Sequence, residues 1–178
     1  THPPPPMLLL IGDKIVDRQS ASRLVADALA RGEWTKTYLF EEDGNPKSRA
    51  VFTATIGLQE VYGLPELVMF GMSREAADTI IHNVVAQLVK GAGWKGVPLQ
   101  MSDIIEEELV ELRAVHPAHY PAVAAVNIVV RRETGRPEMK EMVQIFWQGD
   151  DGRFPWDPDA TDGFQDQKRL DIPPEAGS

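Results

Sequence analysis

Glu66-Leu67-Val68-Met69-Phe70-Gly71-Met72, followed at once by Ser73 and the run Arg74–Lys90, decides how the chain is read. An almost unbroken apolar stretch bounded by turn residues marks a strand covered on both faces. Gly71 lets the chain turn, Ser73 can cap a helix, and Glu75 suits the first turn. Within Arg74–Lys90, Ala77, Ile81, Val84 and Leu88 recur at helical spacing, and Ala76, Ile80, Val85 and Val89 widen that stripe. Gly91 supplies the stop.

Working towards the N-terminus, Trp34–Glu42 and Ala50–Leu58 read as two strands around the turn signal Asp43-Gly44-Asn45-Pro46. Val51, Thr53 and Thr55 alternate with Phe52, Ala54 and Ile56, which predicts one wet face and one dry face. Ser20–Arg31 has a helical stripe of Leu24, Val25, Ala28 and Leu29, with Ser20 or Ser22 as its cap and Gly32 as its end. Towards the C-terminus, Leu99–Ile104 and Leu109–Val115 are strands around the acidic stretch Glu106–Glu108. In Tyr120–Arg132, Ala122–Ala125 favours a helix, whereas Val126–Val130 fits a strand equally well. The stronger strand at Met142–Gln148 tips that segment to a helix. The expected fold is α+β, a mostly antiparallel β-sheet with helices packed on one face.

The chain has 178 residues, 43% hydrophobic and 25% charged, the composition of one globular domain. Residues 1–19 are expected to be an extended N-terminal arm led by prolines, 20–172 the domain, and 173–178 a loose tail. With no cysteine, disulfides and thiolate ligands are excluded. The apolar run Met7–Ile11 is too short for a signal core and lacks a basic flank, so a cytoplasmic location is expected. Eighteen basic against 27 acidic residues give a formal charge of −9. The longest basic run is Arg131–Arg132, so neither nucleic acid nor an anionic membrane is an expected partner.

Neither a phosphate-binding glycine loop, a dinucleotide fingerprint nor a serine nucleophile elbow is present, so no nucleotide cofactor is expected. Asp78 and His82 stand one helical turn apart on the polar face of Arg74–Lys90, where a solvated pair is the simpler reading and an oriented base the sharper one. His116 and His119 form an H-x-x-H pair that could share a metal or serve as acid–base groups, although Pro117 disfavours helical geometry at His116. Glu60, Tyr62 and Glu66 flank the turn Gly63-Leu64-Pro65, either as site residues on a loop or as ordinary strand-edge groups. Arg153-Phe154-Pro155-Trp156-Asp157-Pro158 could clamp a planar or anionic ligand. Equally, it could be a stiff arm whose rings pack on the sheet. The aspartates from Asp150 to Asp162 lack the spacing of a calcium loop.

Phe52-Thr53-Ala54-Thr55-Ile56-Gly57-Leu58 and Gly63-Leu64-Pro65-Glu66-Leu67-Val68-Met69-Phe70-Gly71-Met72 resemble the bacterial family catalogued as domain of unknown function 4262. That family pairs a threonine-x-glycine-leucine strand with a G-x-P-E-L strand and an alanine-rich helix, which Arg74–Lys90 matches. Its closing aromatic strand and D-x-R-F-P-W-D-P segment are matched by Gln144–Trp147 and Asp151–Pro158. The resemblance spans Trp34–Leu170, departing at Arg131–Glu141 and Thr1–Asp17. It carries no catalytic residue, cofactor or reaction to this chain, but it draws Glu66, Arg153, Trp156 and Asp157 together as shared features.

The expected function is a small-molecule-acting protein, an enzyme using His116 or His119 in acid–base chemistry. Glu66, Tyr120, Trp147, Arg153, Trp156 and Asp157 are expected to hold the ligand. Two rivals stand beside it: a non-catalytic homo-oligomeric assembly module, and a metalloprotein ligated by His116 and His119.

Overall fold

A computed structural model describes residues 7–41, 50–91, 94–149, 151–158 and 167–174. Eight strands form one sheet: β1 (Met7–Ile11), β2 (Lys14–Val16), β3 (Thr35–Glu41), β4 (Phe52–Ile56), β5 (Glu66–Phe70), β6 (Leu99–Ile105), β7 (Glu108–Ala114) and β8 (Met142–Trp147). Their spatial order is β2-β1-β3-β4-β5-β8-β7-β6. Every neighbouring pair is antiparallel except β5 and β8, which run parallel with Glu66 opposite Met142. The helices are α1 (Arg18–Ala30), α2 (Leu58–Tyr62), α3 (Arg74–Lys90), α4 (Tyr120–Val123) and α5 (Ala125–Glu133). The α+β class and the mostly antiparallel sheet are as the sequence predicts.

The helices do not share one face. Leu67, Met69, Leu112, Val143 and Ile145 meet Ile81, Val84 and Leu88 of α3 on one side. Val68, Phe70, Ala54 and Met142 meet Val123, Ala124 and Leu170 on the other, where Ile11 and Ile56 also pack on Val25 of α1 and Val130 of α5. The physical reason lies in the central strands: β4 and β5 are buried at every position, so both faces need an apolar cover. For the same reason Thr53 and Thr55 are buried rather than wet. Thr53 lies opposite Tyr38, whose ring is in turn covered from α3 by Arg74.

Several local expectations shift. Asp17, not Ser20, caps α1, since the Ser20 amide donates to its carboxylate at 2.7 Å. Ser73 caps α3 as read, and the stripe of α3 is buried as expected except that Ala76 is half-buried and Val89 is 47% exposed. β4 stops at Ile56, and Gln59–Tyr62 is helix rather than loop. Gly57 has φ 110°, and a Cβ there would stand 2.9 Å from Leu29 Cδ2 and Trp34 Cα, so only glycine fits this corner. Met7–Val16, read as part of an extended arm, is a β-hairpin whose first strand pairs with β3. The turn Asp43–Pro46 lies outside the described residues. No helix among the described residues is long and apolar enough to cross a membrane.

Candidate functional site

The left-handed Gly57 aims three consecutive amides into one point, and Glu66 at the start of β5 occupies it. Its carboxylate accepts from the N–H groups of Gly57 (2.9 Å), Leu58 (3.1 Å) and Gln59 (3.4 Å) and from the Thr55 hydroxyl (2.9 Å). The same hydroxyl accepts from the Leu67 amide. The threonine-x-glycine-leucine and P-E-L segments are therefore one device: a carboxylate that caps α2 and stitches β4 to β5. Burial raises the Glu66 pKa and the donors around it pull the other way. Burial outweighs those donors, so the net shift is upward, whereas the geometry favours the charged form: the three amides and the Arg131 guanidinium can only donate to the carboxylate.

Arg131 of α5 completes this network. Its guanidinium, 2% exposed, forms a two-pronged pair with Glu60 at 2.8 Å on each arm and reaches Glu66 at 3.3 Å. The remaining donors go to the Asn127 side chain and the Pro137 carbonyl. Burial alone would raise the Glu60 pKa, but Arg131 outweighs it and holds that carboxyl below its ordinary value. As half of the basic pair Arg131–Arg132, it gave no sign of this role in the sequence. The spacing Asn127–Arg131, one helical turn on the inner face of α5, is the signal that could have found it.

The histidines are held by backbone. His116 Nδ1 accepts from the Ala118 amide at 3.1 Å, capping the 3₁₀ turn Pro117–His119. His119 is buried and its Nε2 meets the Ile172 carbonyl at 2.7 Å, so that nitrogen carries the proton. The two rings lie 6.4 Å apart, edge to face. Among the described residues no three His, Asp or Glu side chains converge as metal ligands.

The C-terminal segment folds back along β8. Gln144, fully buried, donates to the Lys168 carbonyl and accepts from the Leu170 amide, while the Gln167 side chain bonds both backbone groups of Trp147. Trp156 stacks on Phe154 at 4.9 Å, meets the edge of Phe146 at 5.0 Å, and carries the Arg113 guanidinium 3.4 Å from its ring centre. Asp171 pairs with Arg113 and Arg169, and these cations outweigh its burial and hold its pKa low. Asp157 accepts from the Phe154 amide at 2.7 Å, closing its own turn. Arg153 is exposed beside this arm.

Asp78 and His82 reach across to β3 rather than to each other. Asp78 accepts from the Tyr38 hydroxyl and pairs with Lys36 at 3.1 Å, and Lys36 Nζ lies 2.8 Å from His82 Nε2. Burial and the Asp78 charge push the Tyr38 pKa up, and burial followed by Lys36 pushes that of His82 down.

A cavity of about 330 Å³ opens between β1, β3 and β4 and the segment carrying α4 and α5. Leu39, Phe52, Ala54, Val123, Val126 and Met142 form its walls. Thr37 and Asn127 supply polar groups inside, and the exposed Asp17 and Arg18 line it from the start of α1. Of the residues expected from sequence to bind ligand or do chemistry, none lines it. Tyr120 lines a separate cavity further along α5. Residues 29–161 match the model of a family described only as a domain of unknown function, DUF4262. No curated protein and no solved structure matches the chain.

Proposed function

The chain belongs to the DUF4262 family, and from that premise we propose that it binds a compact, largely apolar small molecule in the cavity between the β1–β3–β4 sheet and α4–α5. The cavity carries the reading: at about 330 Å³ it falls at the lower end of the range for small-molecule sites. Apolar walls with few fixed polar groups give affinity from burial and orientation from Thr37 and Asn127. Asn127 is itself held by Arg131, so the buried ion network fixes one hydrogen-bonding group of the site. His116 and His119 lie outside this cavity, so acid–base chemistry by them forms no part of the reading. A cytoplasmic setting and a ligand without a nucleotide belong to the same proposal.

Indole is a suitable probe. Saturating indole should shift the methyl resonances of Leu39, Val123 and Val126 in methyl-labelled protein. At a hundredfold excess over Kd it should stabilise the fold by about 2.7 kcal/mol. Ala122 lines the opening and is exposed, so Ala122→Trp can plug it without entering the core, and should abolish both effects. If indole and similarly sized apolar molecules leave those methyls unmoved, the cavity is not a binding site.

A further inference from the structure

A second cavity, of about 240 Å³, shares a wall with the first through α5: Asn127 lines one and its partner Arg131 lines the other. It is lined by three arginines, Arg131, Arg132 and Arg136, against one carboxylate, Glu138. That is a local excess of positive charge on a chain whose formal charge is −9. Arg131 is saturated by Glu60 and Glu66. Arg132 and Arg136 are not: among the described residues no ion pair or side-chain hydrogen bond engages either guanidinium, and Arg136 acts on Glu60 only through space. Uncompensated guanidiniums beside a concave surface attract an anion and match a planar carboxylate with paired N–H donors. The rest of the lining is apolar or weakly polar: Ile128, Met139 and the ring of Tyr120.

We propose that this cavity is a separate site for a small amphipathic monocarboxylate, with Arg132 and Arg136 holding the carboxylate and Ile128 and Met139 receiving a short apolar chain. Burial and the Glu141 charge raise the Tyr120 pKa, so its phenol stays protonated and can donate to the same anion. Glu138 disfavours a second negative charge, which selects monocarboxylates over dicarboxylates and phosphate dianions. The site does not depend on the first cavity being occupied.

The test uses hexanoate, hexan-1-ol and adipate on the full chain carrying labelled methyls. Hexanoate should shift Ile128 and Met139 saturably, hexanol and adipate should bind about tenfold more weakly or worse, and added salt should weaken hexanoate. Arg132→Gln, on the exposed side of α5, combined with Arg136→Gln, three positions beyond its end at Glu133, should weaken hexanoate about tenfold or more without changing the circular dichroism spectrum. Ala122→Trp, which blocks the first cavity, should leave hexanoate binding intact. Equal binding of hexanoate and hexanol, unchanged affinity in the double variant, or shifts confined to Leu39 and Val123 would each overturn the assignment.

Discussion

Arg131→Met removes the only cation on Glu66 among the described residues while keeping most of the side-chain volume. Glu60 is 19% exposed at its side chain and can turn to water, but Glu66 is fully buried and cannot follow it. The loss therefore concentrates on one buried carboxylate, and breaking such a pair by removing one partner costs about 3–5 kcal/mol. For a chain of this length that corresponds to a fall in Tm of roughly 6–20 °C. In urea, with m near the upper end of ~1–3 kcal/mol/M, the midpoint should fall by roughly 1–2 M. The pH dependence gives a second readout. In the native chain the Glu60 pKa is held below its ordinary value of 4.5, so its contribution is present above pH 4.5 and is lost as pH falls through the folded pKa. In the variant, burial acts on Glu66 with one donor fewer, so its pKa moves further up, and the deficit it causes shrinks as pH falls. The stability gap between native and variant protein should narrow from neutral pH towards pH 4. A deficit below about 1 kcal/mol at pH 7, or a gap that widens on acidification, would refute the claim that this network is charged and essential to the corner.

Two further perturbations address neighbouring parts of the fold. Gly57→Ala should destabilise by about 1–3 kcal/mol from backbone strain alone, and by more because its Cβ meets Leu29 and Trp34 at 2.9 Å; urea denaturation with α2 monitored by amide exchange measures it. His82 has its pKa lowered by burial and by Lys36, so its neutral form stabilises the fold above pH 6.5, and that contribution is lost as pH falls through the folded pKa. His82→Gln should flatten the urea midpoint between pH 7.5 and 5 relative to the native chain, and an unchanged slope would assign the acid sensitivity elsewhere.

Local pattern carried the reading a long way where neighbours in sequence are neighbours in space. The helix Arg74–Lys90, its Ser73 cap, the β3–β4 pair, the hairpin around Glu106–Glu107 and the strand at Met142 all follow from periodicity and turn residues. The arm at Phe154–Asp157 also reads correctly in its simpler form, since two aromatics among prolines have more to gain by packing than by facing water. Where alternation misled, a distant element was responsible. Thr53 and Thr55 look wet because threonine tolerates solvent, yet α3 lies over that face and Thr55 is engaged by Glu66, eleven positions on.

The sequence by itself determined the types of the longer elements from Thr35 to Lys90 and at Met142, the α+β class and the family likeness, because these rest on periods of two and 3.6 residues and on short motifs. Tertiary structure alone decided that α3 and α5 take opposite faces, that Arg131 of α5 meets Glu60 and Glu66, and that both cavities open beside that helix. The Arg131–Glu66 contact joins groups 65 positions apart. No local preference encodes a meeting at that range, which is fixed only when both faces of the sheet are covered and the buried charges must find one another.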